Sequence, residues 1–145
     1  MRWGCVCRMK LELTTDRNNQ WFVPVWVSVR GRKVLVRFKV DSGCNALVLS
    51  HRTLNKLGVP TDRGTLSKLP EIPGALASGA TDTFNKLGEV SLYQDSEQTG
   101  HIGKFPAICH ATRQTHDLLG TGVLGLFDGI TINLKGSKYM ELVKE

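Results

Sequence analysis

The sequence predicts an all-β fold, on three observations. Residues 33–40 alternate, with Val34, Val36, Phe38 and Val40 facing one way and Arg37 and Lys39 the other, the period-two pattern of a strand with one buried face. WFVPVWVSV at 21–29 is strongly β-forming, and GKFPAICH at 103–110 also reads as a strand. Helix signals are few: one capped stretch at residues 50–58 and a short helix-like run after Gly120.

At 145 residues the chain has room for one domain with a real core, taken as residues 1–145, and too little for a second independent one. Hydrophobic content of 41% with 22% mixed charge is that of a soluble globular protein. No apolar run approaches bilayer length and residues 1–15 lack the apolar core of a signal peptide, so no membrane partner and a cytoplasmic, intracellular location are expected. The formal charge of +6 raises nucleic-acid binding, but the densest basic cluster, Arg30, Arg32 and Lys33 around Gly31, falls on a hairpin turn where solvated charge is ordinary. The four cysteines read as free thiols. Cys5, Cys7, Cys44, Cys109 and His110 have neither a CxxC pair nor matched histidine spacing, so no metal is expected, and Cys44 and Cys109 read as small apolar packing residues.

In chain order, residues 1–20 alternate weakly through Met9, Leu11 and Leu13 and then turn polar, predicting a terminal strand and a loop. In the strand at 21–29, Pro24 argues for an edge position or an irregular start. Arg30-Gly31-Arg32 turns the chain back into residues 33–40, giving a hairpin that delivers Asp41. A short apolar run, Ala46 to Leu49, leads to Ser50 as N-cap, two helical turns with Leu54 and Leu57 inward, and a stop at Gly58 before Pro60. Residues 60–73, with Pro60, Gly64, Pro70 and Pro73, read as a surface loop. Residues 74–87 read as a hairpin whose small polar tip, Ser78-Gly79-Ala80, buries little and moves easily. Residues 89–93 and 103–110 are two further strands, joined by a polar turn through Asp95. Leu118-Leu119-Gly120 is a buried apolar pair ended by glycine, and residues 130–134 and 139–143 form a last hairpin around Lys135-Gly136-Ser137-Lys138.

The chemistry-bearing stretch is Asp41-Ser42-Gly43, an acidic break at the end of the buried strand. Gly43 permits a tight turn, and its N–H and the Ser42 hydroxyl are donors within reach of the Asp41 carboxylate. Asp-Ser-Gly after an apolar strand and before Ala46-Leu47-Val48-Leu49 resembles the active-site loop of retropepsin-like (retroviral-type) aspartic proteases, which carry Asp-Thr-Gly or Asp-Ser-Gly there. The hairpin tipped by Gly79 and the Leu118-Leu119-Gly120 segment follow in that family's order, so the resemblance spans residues 22–134. Cys44 stands where family members usually have alanine, and the hairpin tip has a single glycine.

The resemblance implies a closed acid-protease-type barrel with a flap hairpin and one or two short helices, working as a homodimeric aspartic endopeptidase on peptide or polyprotein substrates. One Asp-Ser-Gly per chain supplies half of a paired-carboxylate site, because Asp62-Arg63-Gly64 and Asp128-Gly129 lack the small hydroxyl residue between. A second Asp41 must come from a second copy across a two-fold axis. By resemblance Asp41 is catalytic, Ser42 and Gly43 support the loop, Ser78, Gly79 and Ala80 form the flap, and Leu119 and Val123 are pocket candidates; the mechanism requires no cofactor. Residues 10–13 and 139–143 have no evident partner within one chain and are assigned to the dimer interface. Two other classes stay open: a catalytically inactive protease-like module that dimerises or binds peptides, which damage around Asp41 would distinguish, and a basic nucleic-acid-binding barrel. The barrel reading needs aromatic residues interleaved with Lys and Arg on one sheet face, whereas Trp21, Phe22 and Trp26 alternate with valines.

Overall fold

The computed structural model describes residues 7–75, 81–95, 100–110, 112 and 115–145. Its framework is the hairpin of β3 (Trp21–Val29) and β4 (Arg32–Val40). Arg30 and Gly31 carry the turn with φ of 49° and 81°, and two consecutive positive φ values give the twist that matches the flanking strands. Val23, Val25 and Val27 of β3 and Val36 and Phe38 of β4 point into the core, while Leu35 and Arg37 face out. This is the alternation the sequence predicts. Pro24 is not on a simple edge: the far side of β3 pairs with β2 (Thr14–Thr15) at Trp21 and Phe22 and with β7 (Thr81–Tyr93) at Trp26 to Ser28. Pro24 falls in the interval between these partners, where that side needs no ladder bond from it.

From β4 the sheet continues through β9 (Leu118–Leu119), β5 (Leu47–Val48) and β8 (His101–His110) to β7, and β7 returns to β3. Six strands thereby form a closed barrel around Phe38, Leu47, Leu49, Val90, Leu92, Phe105 and Leu119. Closure depends on the 13 residues of β7, which pair with β6 (Glu71–Ala75), β8 and β3 in succession. A bulge between Lys86 and Gly88, with Gly88 at φ +89°, bends the strand so that it can serve all three. Residues 89–93 are therefore the far half of the hairpin arm and not a separate strand.

Helix α1 (His51–Lys56) starts at Ser50, whose side chain accepts from the Thr53 N–H, buries Leu54, and is followed by Leu57 inward and Gly58 at φ +77°. The supposed loop at 60–73 is ordered instead: Asp62 caps α2 (Arg63–Leu66), its carboxylate accepting from the Thr65 N–H at 2.9 Å, and Leu66 is fully buried. One helical turn holding one core residue leaves no periodic signal, and the surrounding prolines suggest a loop. Pro73 fits in β6 because that strand lies outermost in the sheet. With α3 (Thr121–Leu124), the described residues hold three short helices, one more than the upper expectation. None is long and apolar enough to cross a membrane.

The terminal segments, expected to lack a partner within one chain, have one. β1 (Cys7–Glu12) pairs in full with β11 (Tyr139–Lys144) of the same chain, from Cys7 opposite Lys144 to Glu12 opposite Tyr139. β11 also pairs with β10 (Gly129–Asn133), so it is the central strand of a three-stranded sheet and has no vacant edge. Leu11, Leu13, Met140 and Leu142 are buried and belong to the same hydrophobic cluster as the barrel residues. The backbone groups of β11 are therefore satisfied without a second chain.

Deleting residues 139–145 is therefore expected to destabilise the chain itself, by more than about 4 kcal/mol, since Met140 and Leu142 are each a core truncation of about 2–5 kcal/mol. Urea denaturation followed by circular dichroism measures this, and a truncated chain with an unchanged midpoint would contradict the intrachain role of β11.

Candidate functional site

Asp41 leaves β4 where the barrel strand ends, and its loop is fixed by backbone bonds to the segment around Gly120. The Asp41 N–H donates to the Leu119 carbonyl at 3.1 Å, the Thr121 N–H to the Cys44 carbonyl at 2.8 Å, and the Gly122 N–H to the Asn45 carbonyl at 3.1 Å. Within the loop, the Cys44 N–H returns to the Asp41 carbonyl at 3.2 Å and the Gly43 N–H donates to Asp41 Oδ1 at 3.0 Å. The carboxylate is thus oriented by its own turn. The Ser42 hydroxyl is exposed and has no hydrogen-bond partner among the described residues, so only Gly43 supplies the donor expected from this pair.

Leu118-Leu119-Gly120 ends in glycine for a steric reason. A Cβ at Gly120 would lie 2.3 Å from the Cys44 carbonyl oxygen and 2.5 Å from that of Ala46; one at Gly122 would lie 2.4 Å from that of Asn45. No side chain fits between these backbones. Leu119 and Val123, expected as pocket residues, are 1% and 2% exposed and pack in the core behind the loop. The residues of this segment that line the cleft are Leu118 and Thr121. Strand alternation assigns one leucine of such a pair to each side, and only the pairing of β9 with β4 and β5 decides which.

The cleft has a volume of about 710 Å³. Its floor is the Asp41 loop with Lys39 and Val48; its far wall is Ile72, Pro73 and Gly74 of β6, with Phe84 of β7 and Ile108 of β8; Thr115 and His116 complete the rim. The arms of the expected hairpin are present, paired from Glu71 opposite Asn85 to Ala75 opposite Thr81, so its base stands across from Asp41. Ser78, Gly79 and Ala80 lie outside the described residues.

Sequence reasoning missed Asp117. Its Oδ1 accepts from the Ser50 N–H at 2.7 Å, its Oδ2 from the Ser50 and Thr53 hydroxyls at 3.2 and 2.9 Å, and its carbonyl from the Lys39 N–H at 2.9 Å. One residue thereby ties the start of α1 to β4 just before Asp41. The only local hint was Ser50 followed three residues later by Thr53; the carboxylate that joins them comes from far along the chain. The Asp82 carboxylate is hydrogen-bonded to Nε2 of buried His110 at 2.9 Å, and Phe84 meets the same imidazole edge-on, which fixes the base of the β6–β7 hairpin against β8. Among the described residues no group of three His, Cys, Asp or Glu side chains is placed to hold a metal ion. Cys109 is fully buried, and desolvation pushes its thiol up to about 11, whereas Cys44 is only half-buried beside the cleft.

No protein-family model matches this sequence, and no curated protein sequence matches it. The fold does have a counterpart. It matches the crystal structure of a retropepsin-like aspartic protease from Rickettsia conorii with a TM-score of 0.66, over 99% of this chain and 97% of that one, at 17% sequence identity. The chain therefore has the retropepsin-like fold, closed barrel included, and at that identity the likeness is one of fold.

Gly120→Ala is expected to lower stability by about 2–3 kcal/mol, the upper range for forcing a methyl group into a filled site, because carbonyls on two residues must retreat. An unchanged denaturation midpoint would mean that the two loops are not in contact. Alkylation of the folded protein at about pH 8, read by peptide mapping, is expected to reach Cys44 well before Cys109, since the thiolate is the reacting form. The reverse order would contradict the burial of Cys109.

Proposed function

We propose that this chain is an aspartic endopeptidase that acts as a homodimer, with Asp41 of each copy meeting across a two-fold axis. The observation that carries the reading is the Asp41 carboxylate, fixed by the Gly43 N–H at the end of a barrel strand and facing a cleft large enough for several peptide residues, in a chain with the retropepsin-like fold. One chain supplies one such carboxylate, and peptide hydrolysis by this chemistry needs two.

In the proposed mechanism the two carboxylates share one proton, since two like charges in contact are not both ionised. The ionised Asp41 takes a proton from a water held between the pair as the water oxygen bonds to the scissile carbonyl carbon. The protonated Asp41 gives its proton to the carbonyl oxygen, forming a neutral tetrahedral diol. Collapse breaks the C–N bond: the carboxyl group that took the water's proton gives it to the leaving amine nitrogen, while the other, now ionised, carboxylate takes a proton from a diol hydroxyl as that carbon becomes the carboxylic acid product, which restores the single shared proton. Gly43 supports the loop through its N–H, the paired arms of β6 and β7 serve as the base of a flap beside the cleft, and Ser78, Gly79 and Ala80 keep the flap role that the sequence resemblance assigns them. Leu118 and Thr121 replace Leu119 and Val123 as pocket residues on this reading.

Asp41→Asn is expected to leave the fold and the dimer intact and to abolish cleavage of a mixed peptide library, because an amide neither holds the ionisable proton nor carries the negative charge. Wild-type specific activity is expected to fall on dilution as dimer gives way to monomer, which sedimentation over the same concentrations follows. Cleavage by the Asn variant would remove Asp41 from the chemistry, and a monomer with undiminished activity would remove the shared site.

A further inference from the structure

Taking the cleft as the peptide site proposed above, we infer that it selects peptides with an acidic side chain near the scissile bond and that Lys39 reads that side chain. Lys39 stands two residues before Asp41. Val36 and Phe38 of the same strand turn into the core, so the intervening pleat sends Lys39 to the other face, where it lines the cleft that holds Asp41. A half-buried lysine in a peptide cleft is an odd choice for packing alone, because its charge must be served by something.

Among the described residues no carboxylate lies within ion-pairing distance of Lys39. What holds it is neutral: with its amide oxygen turned toward Lys39, Gln20 accepts from Nζ at 3.2 Å and donates its own NH2 to Asp16 Oδ2 at 3.2 Å. Asp16 Oδ1 is engaged in its own loop, accepting from the Asn18 and Gln20 N–H groups at 2.9 Å each. Gln20 therefore sets where the ammonium sits without cancelling its charge, and one acceptor leaves two of the three ammonium donors open. The other side-chain donors lining the cleft are the neutral groups of Ser42, Asn45, Thr115 and Thr121 and the exposed imidazole of His116, and among the described lining residues Asp41 is the only carboxylate. An Asp or Glu side chain of the peptide satisfies Lys39 with a charge-assisted hydrogen bond, whereas a Lys or Arg side chain there meets like charge. In a symmetric dimer the second Lys39 lies on the opposite side of the paired Asp41 residues, so the acidic preference appears on both sides of the scissile bond.

The test separates selectivity from catalysis by using the Asp41→Asn protein as a binder. It is panned against a mixed decapeptide library beside the same protein carrying Lys39→Met, Lys39→Arg or Lys39→Glu, with circular dichroism checking each fold. Bound peptides are expected to be enriched in Asp and Glu by about 5-fold, the equivalent of one exposed-to-partly-buried ion pair. The Met variant loses the enrichment, the Arg variant keeps it, and the Glu variant turns it toward Lys and Arg. With active protein, the advantage of an acidic peptide over its Gln counterpart is expected in KM more than in kcat, and the Met variant removes it there. Bound peptides without acidic bias, a bias that survives Lys39→Glu, or no peptide bound at all would each overturn the inference. Lys39-dependent acidic enrichment with no cleavage by the wild type would uphold it and overturn the endopeptidase reading instead.

Discussion

The geometry of the site depends on one close approach, that of the backbone at Gly120 and Gly122 to the carbonyls of Cys44, Asn45 and Ala46. Loops usually owe their shape to side chains or to water. Here two stretches of main chain lie against each other with no room for a methyl group between them, and their N–H and carbonyl groups satisfy one another. This contact anchors the loop that carries Asp41, whose backbone N–H is bound to the Leu119 carbonyl, while the Gly43 N–H within the loop orients the carboxylate through Oδ1. A carboxylate held in this way loses little conformational freedom when it meets a ligand, which is the condition for using it in chemistry.

The barrel exists to bring those two stretches together. Asp41 directly follows β4 and β9 carries Leu119, and the two strands pair in parallel, which requires a long crossover between them. The crossover comprises β5, α1, α2 and the β6–β7–β8 array, and β7 returns it to β3 to close the ring. Asp117 secures the junction with the N-terminus of α1, where a carboxylate is favoured and three donors satisfy it. The same array places Ile72, Gly74 and Phe84 opposite the Asp41 loop, so one crossover both closes the barrel and builds the far wall of the cleft.

The terminal sheet bears on how two copies would assemble. β11 is paired on both sides within the chain, so the strand edges of this sheet that a second copy could meet are the outer sides of β1 and β10. Ile130 on β10, with Leu126 and Leu134 close by in sequence, is a large apolar residue left exposed.

The strands at 21–29 and 33–40, the turn at Arg30-Gly31, the capped helix at 51–56 and the position of Asp41 were all legible in the sequence, because each rests on a local cause: residue alternation, a positive φ, an N-cap, or an acidic break at a strand end. The meaning of Leu118-Leu119-Gly120 was half legible. Its apolar pair and glycine stood out, but which leucine faces the cleft depends on register with β4 and β5, which a two-residue strand cannot specify alone. The pairing of β1 with β11, the continuity of β7 through its bulge, the burial of Leu66 in α2 and the bonds of Asp117 to Ser50 and Thr53 were decided only in three dimensions. Each joins residues far apart in the chain, or rests on a single buried contact, and neither leaves a periodic trace. Lys39 shows both levels at once: the pleat fixes the side it faces, while the cleft it enters and the Gln20 amide that holds it come from the tertiary fold.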